Sequence, residues 1–216
     1  MFEIHLVIPE SNSISAILET LRGIGQFSFD SFVSVLNVSD DARLTHDPKN
    51  PAVMASATTT DIFAAADMIA NTIRKLGAKG NGVNFELEEV ISEDSEQFTL
   101  SPEDKIEHLP ALRSFYFNKL EGPAYENHII WNERSVTLPD DQTIVSRITE
   151  VYGYPPDQIV EFKDSATGFV CRVATIYQRN RETTLECAEL LNWNWEYLQY
   201  SSLVTERVHL VGRYDE

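Results

Sequence analysis

One order of elements runs through this chain twice. Residues 2–9 alternate, with Phe2, Ile4, Leu6 and Ile8 on one side and Glu3, His5 and Val7 on the other, which is the period of a half-buried strand. Ile14, Ile17, Leu18 and Leu21 follow at helical spacing, with Ser11 or Ser13 as the start signal and Gly23 or Gly25 as the stop. Residues 26–38 and 52–59 read as strands, separated at 39–51 by a turn or loop holding Asp40-Asp41, Asp47-Pro48 and Asn50-Pro51. Ile62, Ala66, Ile69, Ile73 and Leu76 mark a second helix closed by Gly77, and residues 83–91 a last strand.

The second pass starts at 125–131, again a strand. Ile144, Ile148, Val151 and Tyr152 form a helical stripe capped near Asp140 and stopped at Gly153. Strands follow at 158–164 and 169–178 around a turn at 165–168. Thr184, Ala188, Leu191 and Trp195 share one face of a helix capped by Asn180, and residues 203–211 form the final strand. The period is about 120 residues, far longer than a solenoid repeat. The boundaries that result are a first half at 1–92, a linker at 93–124 and a second half at 125–216. In the linker, Ser101-Pro102 followed by acids and by Ile106, Leu109 and Leu112 predicts a helix.

Strand-helix-strand-strand-helix-strand is the ferredoxin-like order. The fold class expected is therefore α+β, two tandem ferredoxin-like βαββαβ units with antiparallel sheets. In each unit the first strand is central, beside the third and the fourth. Both helices cover one sheet face and leave the other open, and two units can bury their open faces against each other or continue one sheet into an eight-stranded one.

Composition narrows the partners. The chain has 216 residues, 43% of them hydrophobic, enough for one large core or two small ones. Net charge is -17, with 34 acids and 17 bases. The excess is spread, with 12 acids against 6 bases over 1–92, 7 against 3 over 93–124 and 15 against 8 over 125–216. Direct nucleic-acid binding is not expected, since phosphate contacts need clustered Lys and Arg, and anionic membranes are disfavoured for the same reason. No apolar run is long enough to span a bilayer, and the N-terminus lacks the pattern of a secretory leader. Cys171 and Cys187 fall in apolar patterns and read as reduced thiols, so a cytoplasmic location is expected.

The open sheet faces carry the candidate chemistry. Glu3 and His5 share one face, and Glu126 and His128 share the equivalent face of the second half. The fourth strands carry Glu86 and Glu88 in one half and Glu206 in the other. With the fourth strand beside the first, these carboxylates sit next to the histidines and make two Glu/His clusters. His5 and His128 are the candidate catalytic residues, and Glu3, Glu126, Glu88 and Glu206 the candidate binding residues. Imidazole with carboxylates suits a hard or borderline metal, or acid/base work near neutral pH. The same residues also suit a bland role as solvated polar groups on a sheet face. Elsewhere, His46 reads as a surface residue, and His108 and His209 show no partner in the sequence. The Gly-rich run at 77–82 follows a helix and precedes a strand, the reverse of a phosphate loop. Trp193 and Trp195 suit core and rim packing near a helix end, and no serine sits in a Gly-x-Ser-x-Gly setting.

The segments Glu3 to Ile8 and Tyr125 to Ile129 resemble the first and mid-chain strands of uncharacterised bacterial proteins with a tandem ferredoxin-like layout, a resemblance that implies fold and brings no activity. The two-lobed layout is also similar to that of the two-histidine phosphoesterases, which carry one His-x-Thr/Ser motif per lobe. Here His5 precedes Leu6-Val7 and His128 precedes Ile129-Ile130, so both hydroxyls are missing and that activity is not carried over. The leading expectation is a binding or interaction protein that holds a protein partner or small-molecule ligand at the sheet faces, with an oligomer allowed. The alternatives are a phosphoesterase or metal-dependent hydrolase using the paired clusters, and an acidic nucleic-acid mimic. Sequence names no cofactor.

Overall fold

The computed structural model describes residues 1–11, 13–39, 51–92 and 125–214. Among them, the strands are β1 (Phe2–Pro9), β2 (Ser28–Asn37), β3 (Pro51–Thr59), β4 (Asn84–Val90), β5 (Tyr125–Asn132), β6 (Gln158–Asp164), β7 (Val170–Gln178) and β8 (Ser202–Arg213). The helices are α1 (Ile14–Ile24), α2 (Ile62–Leu76), α3 (Asp141–Tyr152), α4 (Arg181–Trp193) and the single turn α5 (Trp195–Leu198). Residues 40–50 of the turn or loop expected at 39–51, the predicted linker helix, His46 and His108 lie outside the described residues.

The strands form one closed barrel in the order β1-β3-β2-β6-β7-β5-β8-β4. This corrects the expected fold class: the chain is not two ferredoxin-like units with separate α+β sheets. The overturning contacts are two seams. β2 pairs antiparallel with β6, and β4 pairs antiparallel with β8. The physical reason lies in the edges. Each set of four strands alone would expose two rows of unpaired N–H and C=O groups, and closure removes every edge. Closure also replaces a face-to-face stack, about 10 Å thick, with a lumen that can hold polar side chains.

Strand alternation sorts the residues. Ile4, Leu6 and Ile8 of β1 and Phe85 and Leu87 of β4 face outward. They pack with Ile17 and Leu21 of α1 and Ile69 and Ile73 of α2 in a first core, which Leu210 of β8 joins. Ile129 and Trp131 of β5 pack with Ile144 and Ile148 of α3 and Leu191 of α4 in a second. Each such side chain fully buried is worth about 1.5–3 kcal/mol, which is what holds the helices on the barrel wall. Asp61, Asp140 and Asn180 cap α2, α3 and α4 by accepting from the N–H of Phe63, Thr143 and Thr183. Gly153 ends α3 with φ +87°, a left-handed conformation that favours glycine.

One sequence expectation fails at α4. Trp195 does not continue its buried face, because the helix breaks at Asn194 and Trp195 opens α5. Trp193 is 84% exposed and Trp195 54%, so neither is a core residue. No helix among the described residues is long and apolar enough to cross a membrane.

The two halves occupy equivalent positions around the barrel. His5 lies between Ser56 of β3 and Glu86 of β4, and His128 between Thr175 of β7 and Val204 of β8. By the same registers Glu89 and Arg207 are counterparts, opposite Phe2 and Tyr125, and they pair with each other at the β4–β8 seam. Phe32 and Phe162 are counterparts too, each four residues beyond the position opposite Ser56 or Thr175, and they pair at the β2–β6 seam. A pseudo-twofold axis therefore crosses the barrel through Phe32/Phe162 on one side and Glu89/Arg207 on the other.

Candidate functional site

The inward phase of the strands places Glu3, His5 and Val7 of β1, Glu86 and Glu88 of β4, Glu126, His128 and Ile130 of β5, and Glu206 of β8 around one cavity of about 230 Å³. Phe32, Met54, Val160, Phe162, Val173 and Tyr177 supply its less polar wall. All six residues singled out from the sequence meet here. The lining holds five carboxylates and two imidazoles, with no lysine or arginine among its described residues.

Each histidine is held in the same way. His5 Nε2 lies 3.2 Å from Glu88 Oε2 and 3.6 Å from Glu3 Oε2, while Nδ1 is 3.0 Å from Ser56 Oγ. His128 Nε2 lies 3.0 Å from Glu206 Oε2 and 3.6 Å from Glu126 Oε2, with Nδ1 3.1 Å from Thr175 Oγ1. When Nδ1–H donates to the hydroxyl oxygen, Nε2 turns its lone pair to the carboxylates. That arrangement is how ligating histidines are oriented. Ser56 and Thr175 were not singled out from the sequence. Their signal was present, since β3 and β7 border the first strands and alternation puts one hydroxyl opposite each histidine.

The two clusters touch. Donor atoms of Glu88, Glu126, His128 and Glu206 all lie within 4.8 Å of one another. Burial lifts the Glu88 carboxyl well above the usual carboxylate range, and the charges of Glu126, Glu206 and Glu86 push it the same way. In its protonated form Glu88 donates to Glu126. Burial would raise Glu126 as well, but the charge and hydrogen bond of His128 and the bond from Glu88 outweigh it and hold Glu126 low. Burial opposes a charged His128, yet Glu126 and Glu206 raise it well above the ordinary histidine range. Glu3 is raised by burial and then by the charge of Glu206 in the other half. Glu206 Oε1 is buried and accepts no hydrogen bond from any described residue.

The other sequence candidates lie elsewhere. His209 does have a partner, which the sequence concealed: Nε2 is 2.7 Å from Glu89 Oε2, on the outer side of the β4–β8 seam. A β-bulge there makes His209 an extra residue between the pairs Leu87–Leu210 and Glu88–Val208, so simple alternation misplaces it. The run at 77–82 opens with a 3₁₀ turn (Gly77–Gly80) after α2, and none of its residues lines the lumen. Cys171 is half-buried and Cys187 buried, both as free thiols. Burial pushes the Cys187 thiol up to about 12, which makes it a poor nucleophile.

Comparison with known proteins adds little. No family model matches the chain, and no curated protein matches its sequence. Two solved structures are distantly similar, both provisionally named monooxygenases. One, from Fusobacterium nucleatum subsp. nucleatum, is 7% identical with a TM-score of 0.27, over 100% of this chain and 97% of that one. The other, from Lactobacillus acidophilus, is 10% identical with a TM-score of 0.28, over 99% and 96%. Likenesses this weak carry no weight for fold or activity.

Proposed function

We propose that the barrel lumen is a divalent-metal centre and that the protein is a metal-dependent hydrolase acting on a small, partly apolar substrate. The observation that carries this reading is the charge balance of the lumen. Five carboxylates line one cavity beside two histidines, with no lysine or arginine among its described lining residues. Burying that much negative charge is costly unless protons or cations compensate it.

The distances leave room for a cation. Two donors each about 2.1 Å from one ion lie ~3.0 Å apart in an octahedral shell and ~3.4 Å apart in a tetrahedral one. The Nε2-to-carboxylate separations of 3.0, 3.2, 3.6 and 3.6 Å are close to both values. A set of one imidazole and three carboxylates, from His128, Glu88, Glu126 and Glu206, suits Mn²⁺, Fe²⁺ or Zn²⁺. Bound there, the ion would acidify a coordinated water, the wall of Phe32, Met54 and Phe162 would hold the substrate, and a carboxylate left free of the ion would accept the proton. Water would add across the scissile bond, OH to one product and H to the other.

A non-catalytic small-molecule binder is the second reading, favoured by the apolar share of the same wall. The acidic-mimic reading is weaker, because the clustered carboxylates line the lumen. Free thiols fit a cytoplasmic setting. The test is calorimetric titration of chelator-treated protein with Mn²⁺ and Zn²⁺, on wild type and on His128→Ala. Binding by wild type that the variant loses supports a metal centre. No binding by wild type sinks it. Metal-dependent cleavage of a panel of small esters, amides and phosphoesters then separates the hydrolase from the binder.

A further inference from the structure

We infer that the lumen binds two divalent cations, one on each side of the pseudo-twofold axis, with the carboxylates of Glu88 and Glu206 shared between them. The inference rests on the metal-centre reading and extends it to Glu3 and His5, which lie outside the four-residue donor group.

The first ground is equivalence. Glu3, His5 and Glu88 repeat the trio Glu126, His128 and Glu206 position for position. Their Nε2-to-carboxylate distances are 3.6 and 3.2 Å against 3.6 and 3.0 Å. Each imidazole is also braced by a hydroxyl behind it, at 3.0 and 3.1 Å. A trio able to ligate on one side of the axis is able to ligate on the other.

The second ground is the crossing of the halves. Glu88 contacts His5 of its own half and also falls within the donor group of His128. Glu206 is its counterpart: one oxygen faces His128, and the other, buried in the lumen wall, accepts no hydrogen bond from a described residue. A buried carboxylate oxygen without a donor is costly, and a second cation would satisfy it. Two carboxylates placed between two imidazoles are what bridging requires, and ions so bridged sit about 3.5–4 Å apart. Four carboxylates with two imidazoles is also the donor set of carboxylate-bridged dimetal centres built on helices. Here the set would be built on strands.

The experiment uses the full chain, stripped with chelator, reloaded with Mn²⁺ and desalted. Metal per chain is measured by mass spectrometry, and coupling by electron paramagnetic resonance. Two ions per chain with an exchange-coupled spectrum are expected. His5→Gln should bind one ion and show an uncoupled six-line signal, at an unchanged circular dichroism spectrum. Should that variant fail to fold, Glu3→Gln should also lower the second ion's occupancy. One ion per wild-type chain, unaffected by His5→Gln, overturns the second site and leaves the metal centre standing. Two ions without coupling overturn the sharing of Glu88 and Glu206. No bound ion sinks the metal-centre reading itself, and the two-ion inference with it.

Discussion

Glu89 and Arg207 are counterparts in the two halves, and they face each other across the β4–β8 seam with Nη2 to Oε2 at 2.5 Å. A seam between identical chains would put like residues at such a position. One chain carrying both sides can place opposite charges there. His209 adds its Nε2 to the same oxygen.

That pairing predicts an acid-sensitive seam. Burial alone would raise Glu89, but the hydrogen bonds and charges of His209 and Arg207 override it and hold the carboxyl at about 2, against an ordinary 4.5. A depressed carboxylate gives stability that is fully present above the unfolded value and is lost as pH falls through the folded one. The loss should occur as pH drops from about 4.5 through 2 and, with solvent screening of this half-exposed group, amount to about 1–2 kcal/mol. Urea unfolding of wild type and Glu89→Gln across that window checks it. The variant should be the less stable protein at pH 7, and the gap should narrow toward pH 2 and close below it.

Metal binding should stabilise the fold. At a free concentration one hundred times the dissociation constant, one ion adds about 2.7 kcal/mol. For a chain of this size that raises Tm by roughly 5–10 °C. Scanning calorimetry with and without Mn²⁺ or Zn²⁺ measures it, and His128→Ala should show a smaller rise than wild type.

Thr175 offers a quieter substitution. Thr175→Val keeps the shape and removes the hydroxyl behind His128 Nδ1. Loss of such an orienting partner typically weakens metal binding about 10–100-fold. Calorimetric titration should show that loss at nearly unchanged thermal stability. Ser56→Ala should produce the same change at His5.

Gly212 tests the seam from the other direction. It pairs with Phe85, and a Cβ at Gly212 would lie 2.2 Å from the Phe85 ring, which is fully buried and has no room to move. Gly212→Ala should cost about 1–3 kcal/mol by overpacking. Shortening the ring in the double variant Gly212→Ala/Phe85→Leu should restore part of it. The midpoints of denaturant unfolding decide the matter.

Much of the lumen was readable from the chain. Alternation separates Glu3 and His5 from Ile4 and Leu6, and placing the fourth strand beside the first brings Glu88 and Glu206 to the histidines. Neither seam was readable. β2 and β6 are far apart in sequence, and nothing in a strand's own residues names a partner so distant. Expecting two tandem ferredoxin-like units followed from that gap, and it left open whether the two clusters converge. Glu89, Arg207 and His209 stayed hidden for a local reason, the bulge that shifts the phase of β8. Trp195 was misplaced because the stripe was carried through Asn194, where the helix stops.

Closing the barrel ties the fate of each half to the other. Leu210 and Tyr214, from the end of the chain, pack into the core beneath α1 and α2, while Val38, next to β2, packs against the core beneath α3 and α4. Neither core is complete with its own segment alone, and a ring of hydrogen-bonded strands cannot release one half without tearing both seams. Unfolding should therefore be one all-or-none event, and a substitution in either half should lower a single shared melting transition.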